Sequence, residues 1–276
     1  MFELSDTERL LGEAAGVIAR RDAEILLAHA WSVSRSQLIA RAGDPVPADV
    51  IARFTDACAR RAMGIPVAYL LGTREFWSLD FEVSNAVLVP RPETELLVQR
   101  TLDLVAAGSA SVVDLGTGSG AIAIALAHER AHWTVTGTDT SADALAVARR
   151  NGERLVPGRV EWVLGDWFAP LGARRFRAIV SNPPYIAGND PVLAEDGLRH
   201  EPRGALTPGG DGTAALATLI NSAPVHLLAG GWLALEHGNS QGDWARSALV
   251  ARGFTHVTSH RDLAGHERVT CGQWSN

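Results

Sequence analysis

From Glu93 to its C-terminus, the sequence alternates between short apolar strand patterns and amphipathic helical patterns. This alternation limits the possible folds most narrowly, because strands separated by helices pair in parallel and bury both faces of their sheet. The last two strand patterns follow each other without a helix, which favours an antiparallel pair at one edge. The predicted strands are 111–115, 134–138, 160–164, 177–181, 231–236, 254–259 and 267–273. The sequence therefore predicts an α/β fold with a seven-stranded, mostly parallel, doubly wound sheet.

The N-terminal quarter of the chain has a different pattern. Apolar residues at helical spacing over 7–62 predict short helices, the last of them from about Ala48 to Met63. Alternating and aromatic residues from Tyr69 to Val83 then predict a β-hairpin. We therefore expect three parts, which are a small helical domain at 1–75, a hairpin linker at 76–90 and an α/β domain at 91–276.

Composition excludes several classes of function. All 25 basic residues are arginine, so the chain has no lysine for a Schiff base, a pyridoxal-phosphate anchor or a Walker-A loop. The net charge of −6 argues against a protein that is permanently bound to nucleic acid. Cys58 and Cys271 are too few and too far apart for a four-ligand zinc site. No apolar stretch approaches the roughly 20 residues of a membrane helix, and the acidic N-terminus lacks a signal-peptide pattern, so we expect a cytoplasmic protein.

A glycine-rich turn follows the first strand of the predicted sheet and opens a helix. The turn consists of Gly116, Thr117, Gly118, Ser119 and Gly120. Glycines let the backbone approach a ligand closely, and the N–H groups at a helix start add positive potential. Asp139 ends the next strand, where an acid accepts the hydroxyls of a ribose, and Asp166 and Trp167 follow the third strand as a polar group and an aromatic wall for adenine. These features predict a nucleoside cofactor across the carboxyl edge of the sheet.

A rigid corner follows the fourth strand. Its residues are Asn182, Pro183, Pro184 and Tyr185. The prolines fix the backbone, so the Asn182 side-chain oxygen and the Pro183 carbonyl are held in place to accept the two hydrogens of a planar NH2 group. Tyr185 would stack on the plane of that group. The alternative is a Pro-Pro turn that only ends a strand.

These segments carry a family resemblance. The stretch 114–120 resembles motif I of class I S-adenosylmethionine (SAM) methyltransferases, which have a Rossmann-like sheet. The corner 182–185 resembles the motif of enzymes that methylate exocyclic adenine nitrogens or protein glutamines. Further segments are similar to the peptide-chain release factor glutamine methyltransferases (the PrmC/HemK family), and these are 66–72, 75–77, 89–95, Glu201-Pro202 with Ala205-Leu206, and Glu236-His237-Gly238 with Gln241. One departure is Asn151-Gly152, where the family more usually has Asn-Ala.

The resemblance implies SAM as the cofactor and N5-methylation of the glutamine in the Gly-Gly-Gln motif of release factors as the reaction. Residues 116–120, Asp139, Asp166, Trp167 and Asn182 would bind SAM. Asn182 and Pro183 would act on the substrate amide, within a substrate site formed by residues 182–185. The region 1–75 would recognise the release factor and 91–276 would be the catalytic domain, with no need for a membrane or for direct nucleic-acid binding.

Other functions remain open at this point. A sibling enzyme that methylates a ribosomal-protein glutamine would share the corner 182–185. A DNA adenine methyltransferase would share it too, but would need a target-recognition segment and a basic face. A non-catalytic SAM-binding scaffold is the third alternative, and an intact corner argues against it.

Two further patterns have competing interpretations. His128-Glu129-Arg130-Ala131-His132 matches the H-E-x-x-H zinc signature, but it falls at the end of a predicted helix, so we expect no metal site. Arg91 and Glu93 are candidates for a lid over the cofactor, and an Arg-Pro-Glu helix start explains them almost as well.

Overall fold

The computed structural model describes residues 6–275. Met1–Ser5, which belong to the predicted helical domain and to the acidic N-terminus, lie outside the described residues, as does Asn276. The chain forms two compact units, Met1–Gly72 with Ala194–His200, and Thr73–Leu193 with Glu201–Asn276. The three-part organisation with boundaries at 75 and 90 stays a prediction.

The first unit is helical. Its helices are α1 (Asp6–Ala14), α2 (Arg20–Ala30), α3 (Arg35–Ala40), α4 (Ala48–Ala62) and α5 (Val67–Leu71). A capping box starts α3, since Ser34 Oγ accepts from Gln37 N at 3.1 Å and Gln37 Oε1 accepts from Ser34 N at 2.8 Å. Leu26, Leu27 and Phe54 are buried in the core that α2 and α4 share.

The sequence predicts that the hairpin begins at Tyr69, whereas in the structure its first strand begins at Thr73. The prediction that Tyr69–Leu71 is extended is wrong, because these residues lie in α5. Pro66 precedes the first turn of that helix, and Gly72 ends it with a left-handed φ of 75°. The hairpin strands are β1 (Thr73–Phe76) and β2 (Leu79–Glu82).

The second unit is built on a seven-stranded sheet in the order β5-β4-β3-β6-β7-β9-β8. Its strands are β3 (Ala110–Leu115), β4 (Trp133–Asp139), β5 (Val160–Leu164), β6 (Phe176–Ser181), β7 (Leu227–Glu236), β8 (Thr255–Arg261) and β9 (Glu267–Trp274). Its helices are α6 (Glu95–Leu104), α7 (Ala121–Glu129), α8 (Ala142–Leu155), α9 (Arg203–Leu206), α10 (Ala214–His226) and α11 (Gly242–Arg252). Short 3₁₀ turns lie at Pro92–Thr94, Ala169–Leu171 and Pro191–Ala194, and a fourth at Leu198–His200 belongs to the first unit.

The sheet is buried on both faces at its centre, as near-continuous apolar strands require. Successive residues of β3 lie on opposite faces of the sheet. Val112 packs on the face covered by α6 and α7, and Val113 packs on the face covered by α10. Strands β3 to β7 are parallel, whereas β9 pairs antiparallel with both β7 and β8. The predicted α/β class, the seven strands and the antiparallel final pair are confirmed.

No helix within residues 6–275 has the length and apolar character needed to cross a membrane.

One indole ring is packed against three glycines. Trp162 on β5 lies so close to Gly120, Gly137 and Gly152 that a Cβ built on each would approach the ring to 2.8, 2.6 and 2.9 Å respectively. Such separations are shorter than a carbon–carbon contact allows. Gly152 therefore leaves room in α8 for a tryptophan on the neighbouring strand.

We predict that Gly152→Ala lowers the free energy of unfolding by ~1–3 kcal/mol, because the added methyl group overpacks the Trp162 contact. This is opposite to the usual gain for glycine to alanine within a helix. Gly12→Ala in α1 is the matched control, since no described atom outside the helix's own backbone lies within 4 Å of the added Cβ, and it should stabilise the protein by ~0.5–1 kcal/mol. Urea unfolding of both variants measures the difference, and stabilisation by both would contradict the packing argument.

Candidate active site

The predicted site residues converge where the strand order of the sheet reverses. Strand β3 pairs with β4 on one side and with β6 on the other, so the loops after all three strands leave the same edge. A cleft at this edge is lined by six of the predicted residues, which are Gly116, Gly118, Asp139, Trp167, Asn182 and Pro184. An adjoining depression is lined by Thr117 and Ser119, again with Gly116, Gly118 and Asn182.

Backbone hydrogen bonds hold the glycine-rich turn against β4. The N–H groups of Gly116 and Thr117 both donate to the carbonyl of Thr138, at 2.9 and 2.8 Å. Gly118 has a φ of 57°, and no described protein atom lies within 4 Å of the place where its Cβ would stand. The backbone of Gly118 therefore faces the open cleft, where a ligand can approach it closely. Gly120 is the N-cap residue of α7 and is buried.

Asp114 supports the turn from below. It is fully buried at the end of β3, and its Oδ2 accepts the Thr117 hydroxyl at 2.5 Å. Burial raises the pKa of its carboxyl to about 7, while the hydrogen bond from Thr117 acts in the opposite direction. Within the described residues Oδ1 has no hydrogen-bond partner. Asp114 is therefore part of the support of the glycine-rich turn.

Asp139 joins the glycine-rich turn to the start of α8. Its Oδ2 accepts from Gly118 N and its Oδ1 from Ser141 N, both at 2.9 Å. The side chain is half-buried and lines the cleft. An ionised carboxylate has about four acceptor positions, so two remain for hydroxyl groups of a ligand.

Trp167 and Asp166 are placed differently relative to the cleft. Trp167 has a φ of 41°, and its ring lies beside Gly116, where a Cβ would come within 3.2 Å of it. This places an aromatic surface on the cleft next to the glycine-rich turn. Asp166 is exposed, and its backbone carbonyl accepts from Ala169 N at 2.8 Å. Binding of a ligand by Asp166 stays a prediction.

The corner after β6 is fixed at its start. Ser181, the last residue of β6, donates its hydroxyl to the Leu115 carbonyl at 2.6 Å and so joins the corner to the end of β3. Pro183 is buried, while Asn182 and Pro184 are half-buried and line the cleft. Asn182 Nδ2 donates to the Thr94 hydroxyl at 3.1 Å, which leaves the side-chain oxygen as the acceptor.

The far end of the corner is held by residues at the end of β7 and just after it. Gln241 Nε2 donates to the Tyr185 carbonyl at 3.1 Å, and Gln241 Oε1 accepts from Gly238 N at 2.9 Å. The Tyr185 hydroxyl donates to Glu236 Oε1 at 3.4 Å, and burial is the main cause that raises the pKa of that hydroxyl. The Glu-His-Gly segment and Gln241 therefore keep the corner in place.

A further wall of the cleft comes from the segment before α6. Arg91 forms an ion pair with the buried Glu201, whose other oxygen accepts from Val89 N at 2.9 Å. Glu201 thus holds the segment that contributes Ala86, Val87 and Leu88 to the cleft. Arg91 borders the glycine-rich turn, whereas Glu93 lies in the 3₁₀ turn that precedes α6.

Four supporting residues have no role in the sequence interpretation, namely Thr94, Asp114, Glu201 and Glu236. All four lie in segments whose sequences resemble known families. That resemblance was the sequence signal that could have identified them.

The H-E-x-x-H match does not form a two-histidine face on one helix, because α7 ends at Glu129 and His132 follows it.

Comparison with known proteins gives concordant results along the chain. Residues 4–72 match the family described as the PrmC N-terminal domain, and residues 92–213 match the Methyltransferase small domain. A release factor glutamine methyltransferase of Pseudomonas aeruginosa is 51% identical over 257 residues, covering 93% of each chain. One from Burkholderia pseudomallei is 49% identical over 259 residues, covering 91% of each.

Solved structures show a similar fold. A crystal structure of a methyltransferase from Pyrococcus furiosus superposes with a TM-score of 0.55 at 21% identity, covering 80% of this chain and 100% of that chain. At this identity the likeness concerns the fold alone.

We predict a pH-dependent stability that originates partly at Asp114. Because its pKa in the folded protein is about 7, the native state binds a proton that the unfolded chain loses near pH ~4. The free energy of unfolding should therefore fall as pH rises from ~4 to ~7. Asp114→Asn should reduce this fall. Part of it should remain, because the pKa of the buried Glu236 is also raised to about 7. Urea unfolding at pH 5 and pH 8 measures the effect, and an unchanged fall in the variant would contradict it.

Proposed function

The chain belongs to the release factor glutamine methyltransferase family, and from that premise we propose that it methylates the side-chain amide nitrogen (N5) of the glutamine in the Gly-Gly-Gln motif of peptide-chain release factors. The family resemblance and the class I methyltransferase fold predicted from the sequence are confirmed. The chain is a SAM-dependent methyltransferase.

The observation that carries the proposal is that Asn182 lines the same cleft as Gly116 and Gly118. The motif for gripping an NH2 group and the motif for binding a nucleoside therefore share one space. SAM supplies a methyl group activated by a sulfonium. Proximity of two bound reactants is worth up to ~7–11 kcal/mol of a barrier when they are well aligned.

The residues around the glycine-rich turn fit SAM chemically. The open backbone at Gly118 and the N–H groups at the start of α7 suit its amino-acid portion. The two remaining acceptor positions of Asp139 suit the ribose hydroxyls, and the Trp167 ring offers a flat surface for adenine. We propose these residues as the cofactor site, with Asp166 as a further member.

The corner suits a side-chain amide as acceptor. An amide nitrogen is a poor nucleophile, because its lone pair is delocalised into the carbonyl. Hydrogen bonds from its two hydrogens to the Asn182 oxygen and the Pro183 carbonyl would favour a pyramidal nitrogen and recover part of that lone pair. Tyr185 would border the amide plane. The amide proton becomes acidic as the new bond forms, so a strong general base beside the corner is not required.

A release factor is favoured over the other substrates because the similarity to release factor glutamine methyltransferases extends over most of the chain. Residues 4–72 match the N-terminal domain of this family, and we propose that the first unit recognises the release factor. A ribosomal-protein glutamine remains the second candidate, because the corner alone does not distinguish the two. The net charge of −6 disfavours a DNA substrate. Because release factors act in translation, we propose a cytoplasmic enzyme that modulates termination.

We predict that methyl-labelled SAM transfers label to a release factor that carries Gly-Gly-Gln and not to its Gly-Gly-Ala variant. The label should be found on the glutamine side chain by peptide mass spectrometry. A ribosomal protein with glutamine-containing loops serves as the competing substrate. Equal labelling of the two release factors, or faster labelling of the ribosomal protein, would contradict the assignment.

We predict that Asn182→Ala lowers kcat by ~10²-fold or more, because the amide loses one of its two acceptors. SAM binding, measured by calorimetry, should remain detectable, since most of the cofactor site lies on the other loops. Asn221→Ala is the control, because Asn221 is an exposed asparagine in α10. An Asn182→Ala enzyme with wild-type turnover would refute the proposed grip.

A further inference from the structure

The glycine-rich turn (residues 116–120) keeps one backbone N–H group free for a ligand. The other four N–H groups of the turn donate to oxygen atoms of the protein. The N–H of Ser119 has no hydrogen-bond partner within residues 6–275, and Ser119 lines the depression beside the cleft. A backbone N–H at such a place suits an anionic group, such as the carboxylate in the amino-acid portion of SAM.

The peptide group that carries this N–H lies between two peptide groups that hydrogen bonds hold in place. On one side, Gly118 N donates to Asp139 Oδ2 at 2.9 Å. On the other side, the Ser119 carbonyl accepts from Asn151 Nδ2 at 3.0 Å. Asn151 belongs to α8 and is fully buried. The direction of the Ser119 N–H therefore depends on Asn151 as well as on Asp139.

The backbone of Glu82, the last residue of β2, sets the orientation of the Asn151 amide. Glu82 N donates to Asn151 Oδ1 at 2.7 Å, and Asn151 Nδ2 donates to the Glu82 carbonyl at 3.0 Å. Arg154 supplies a second hydrogen bond to Oδ1 at 3.1 Å. Both hydrogens and both acceptor positions of the amide are then occupied. Rotation by half a turn would place donor against donor and acceptor against acceptor, so the hydrogen bonds select one orientation.

We propose that Asn151 is a positioning residue for SAM, because its hydrogen bond to the Ser119 carbonyl directs the Ser119 N–H to the amino-acid portion of the cofactor. The inference rests on the cofactor site proposed above. Within the described residues Asn151 lines neither the cleft nor the depression, so it acts through Ser119 and not by touching SAM. The hairpin takes part in cofactor binding, because Glu82 orients the amide.

Two variants of Asn151 remove its hydrogen bond to the Ser119 carbonyl. Asn151→Asp keeps the size of the side chain and the acceptor for Glu82 N, but places a second acceptor against the two carbonyls. Asn151→Ala removes the whole amide without burying a charge, so it tests the proposal even where Asn151→Asp does not fold.

Two further variants are controls. Arg154→Ala removes the other side-chain partner of Asn151 and a hydrogen bond to the Asp80 carbonyl of the hairpin, while the bond to Ser119 remains. Ile220→Val in α10 removes a buried methyl group from the core on the opposite face of the sheet. It lowers stability without changing a contact of the turn.

We expect Asn151→Asp and Asn151→Ala each to raise the calorimetric Kd for SAM, and KM for SAM, on the order of tenfold. At saturating SAM, kcat and KM for the release factor should stay within about threefold of the wild type, since the acceptor site is unchanged. Arg154→Ala and Ile220→Val should bind SAM within about threefold of the wild type, even where the melting temperature falls.

A truncated ligand separates positioning from general support of the fold. Methylthioadenosine has the nucleoside of SAM and lacks its amino-acid portion, so its Kd should be the same in the wild type and in both Asn151 variants within about threefold. A merely structural role of Asn151 would weaken both ligands equally, or would lower the melting temperature alone.

Three results would overturn the proposal. They are an unchanged Kd for SAM in the Asn151 variants, an equal loss of SAM affinity in Arg154→Ala, and an equal loss of affinity for methylthioadenosine. Failure of the proposed function is separable, because Kd for SAM is measured without an acceptor. A wild-type enzyme that binds SAM and leaves the Gly-Gly-Gln glutamine unlabelled would refute the substrate assignment alone.

Discussion

The candidate active site depends on the parallel pairing of β3 with β4 on one side and with β6 on the other. Parallel strands bring their carboxyl ends to a common edge, and a reversal of strand order opens a crevice there. In this chain the edge carries the glycine-rich turn, Asp139 and the corner that begins at Asn182. The hydrogen bond from Ser181 to the Leu115 carbonyl fixes the last of these against the first. The glycine-rich turn and the corner thus line one cleft because their strands are neighbours in one sheet.

Buried carboxyl groups support this cleft from outside it. Asp114 lies under the glycine-rich turn, Glu236 lies behind the corner, and Glu201 holds the wall that contains Val89. Burial raises the pKa of both Asp114 and Glu236 to about 7, so each costs stability in its ionised form. A fold under selection for stability alone has no reason to keep such groups buried, whereas a site that needs fixed hydrogen-bond directions does. The stability cost and the fixed hydrogen-bond directions both result from burial.

Some features of the fold were predictable because their signals are local. The seven strands, the helix at Ala48 and the antiparallel final pair follow from periodicity and from the lack of a helix between the last two strands. The prediction that Tyr69–Leu71 is extended failed because three apolar residues fit a helix or a strand equally well. Pro66 before the segment and Gly72 after it favour the helix α5. The insertion of β9 between β7 and β8 had no local signal either. The position of β9 depends on which strand pairs with β7 in the folded sheet.

The sequence by itself determined the class of fold, the family, and the segments that line the cleft. Glycine spacing, strand-end acids and the Asn-Pro-Pro-Tyr corner are properties of consecutive residues. Only the tertiary structure decided which distant residues support them. Thr94 reaches Asn182 from the start of α6 and Glu236 reaches Tyr185 from the end of β7, while Gly120 makes room for Trp162. Hydrogen bonds and close contacts of this kind join residues far apart in the chain, and they exist only once the sheet has brought its strand ends together.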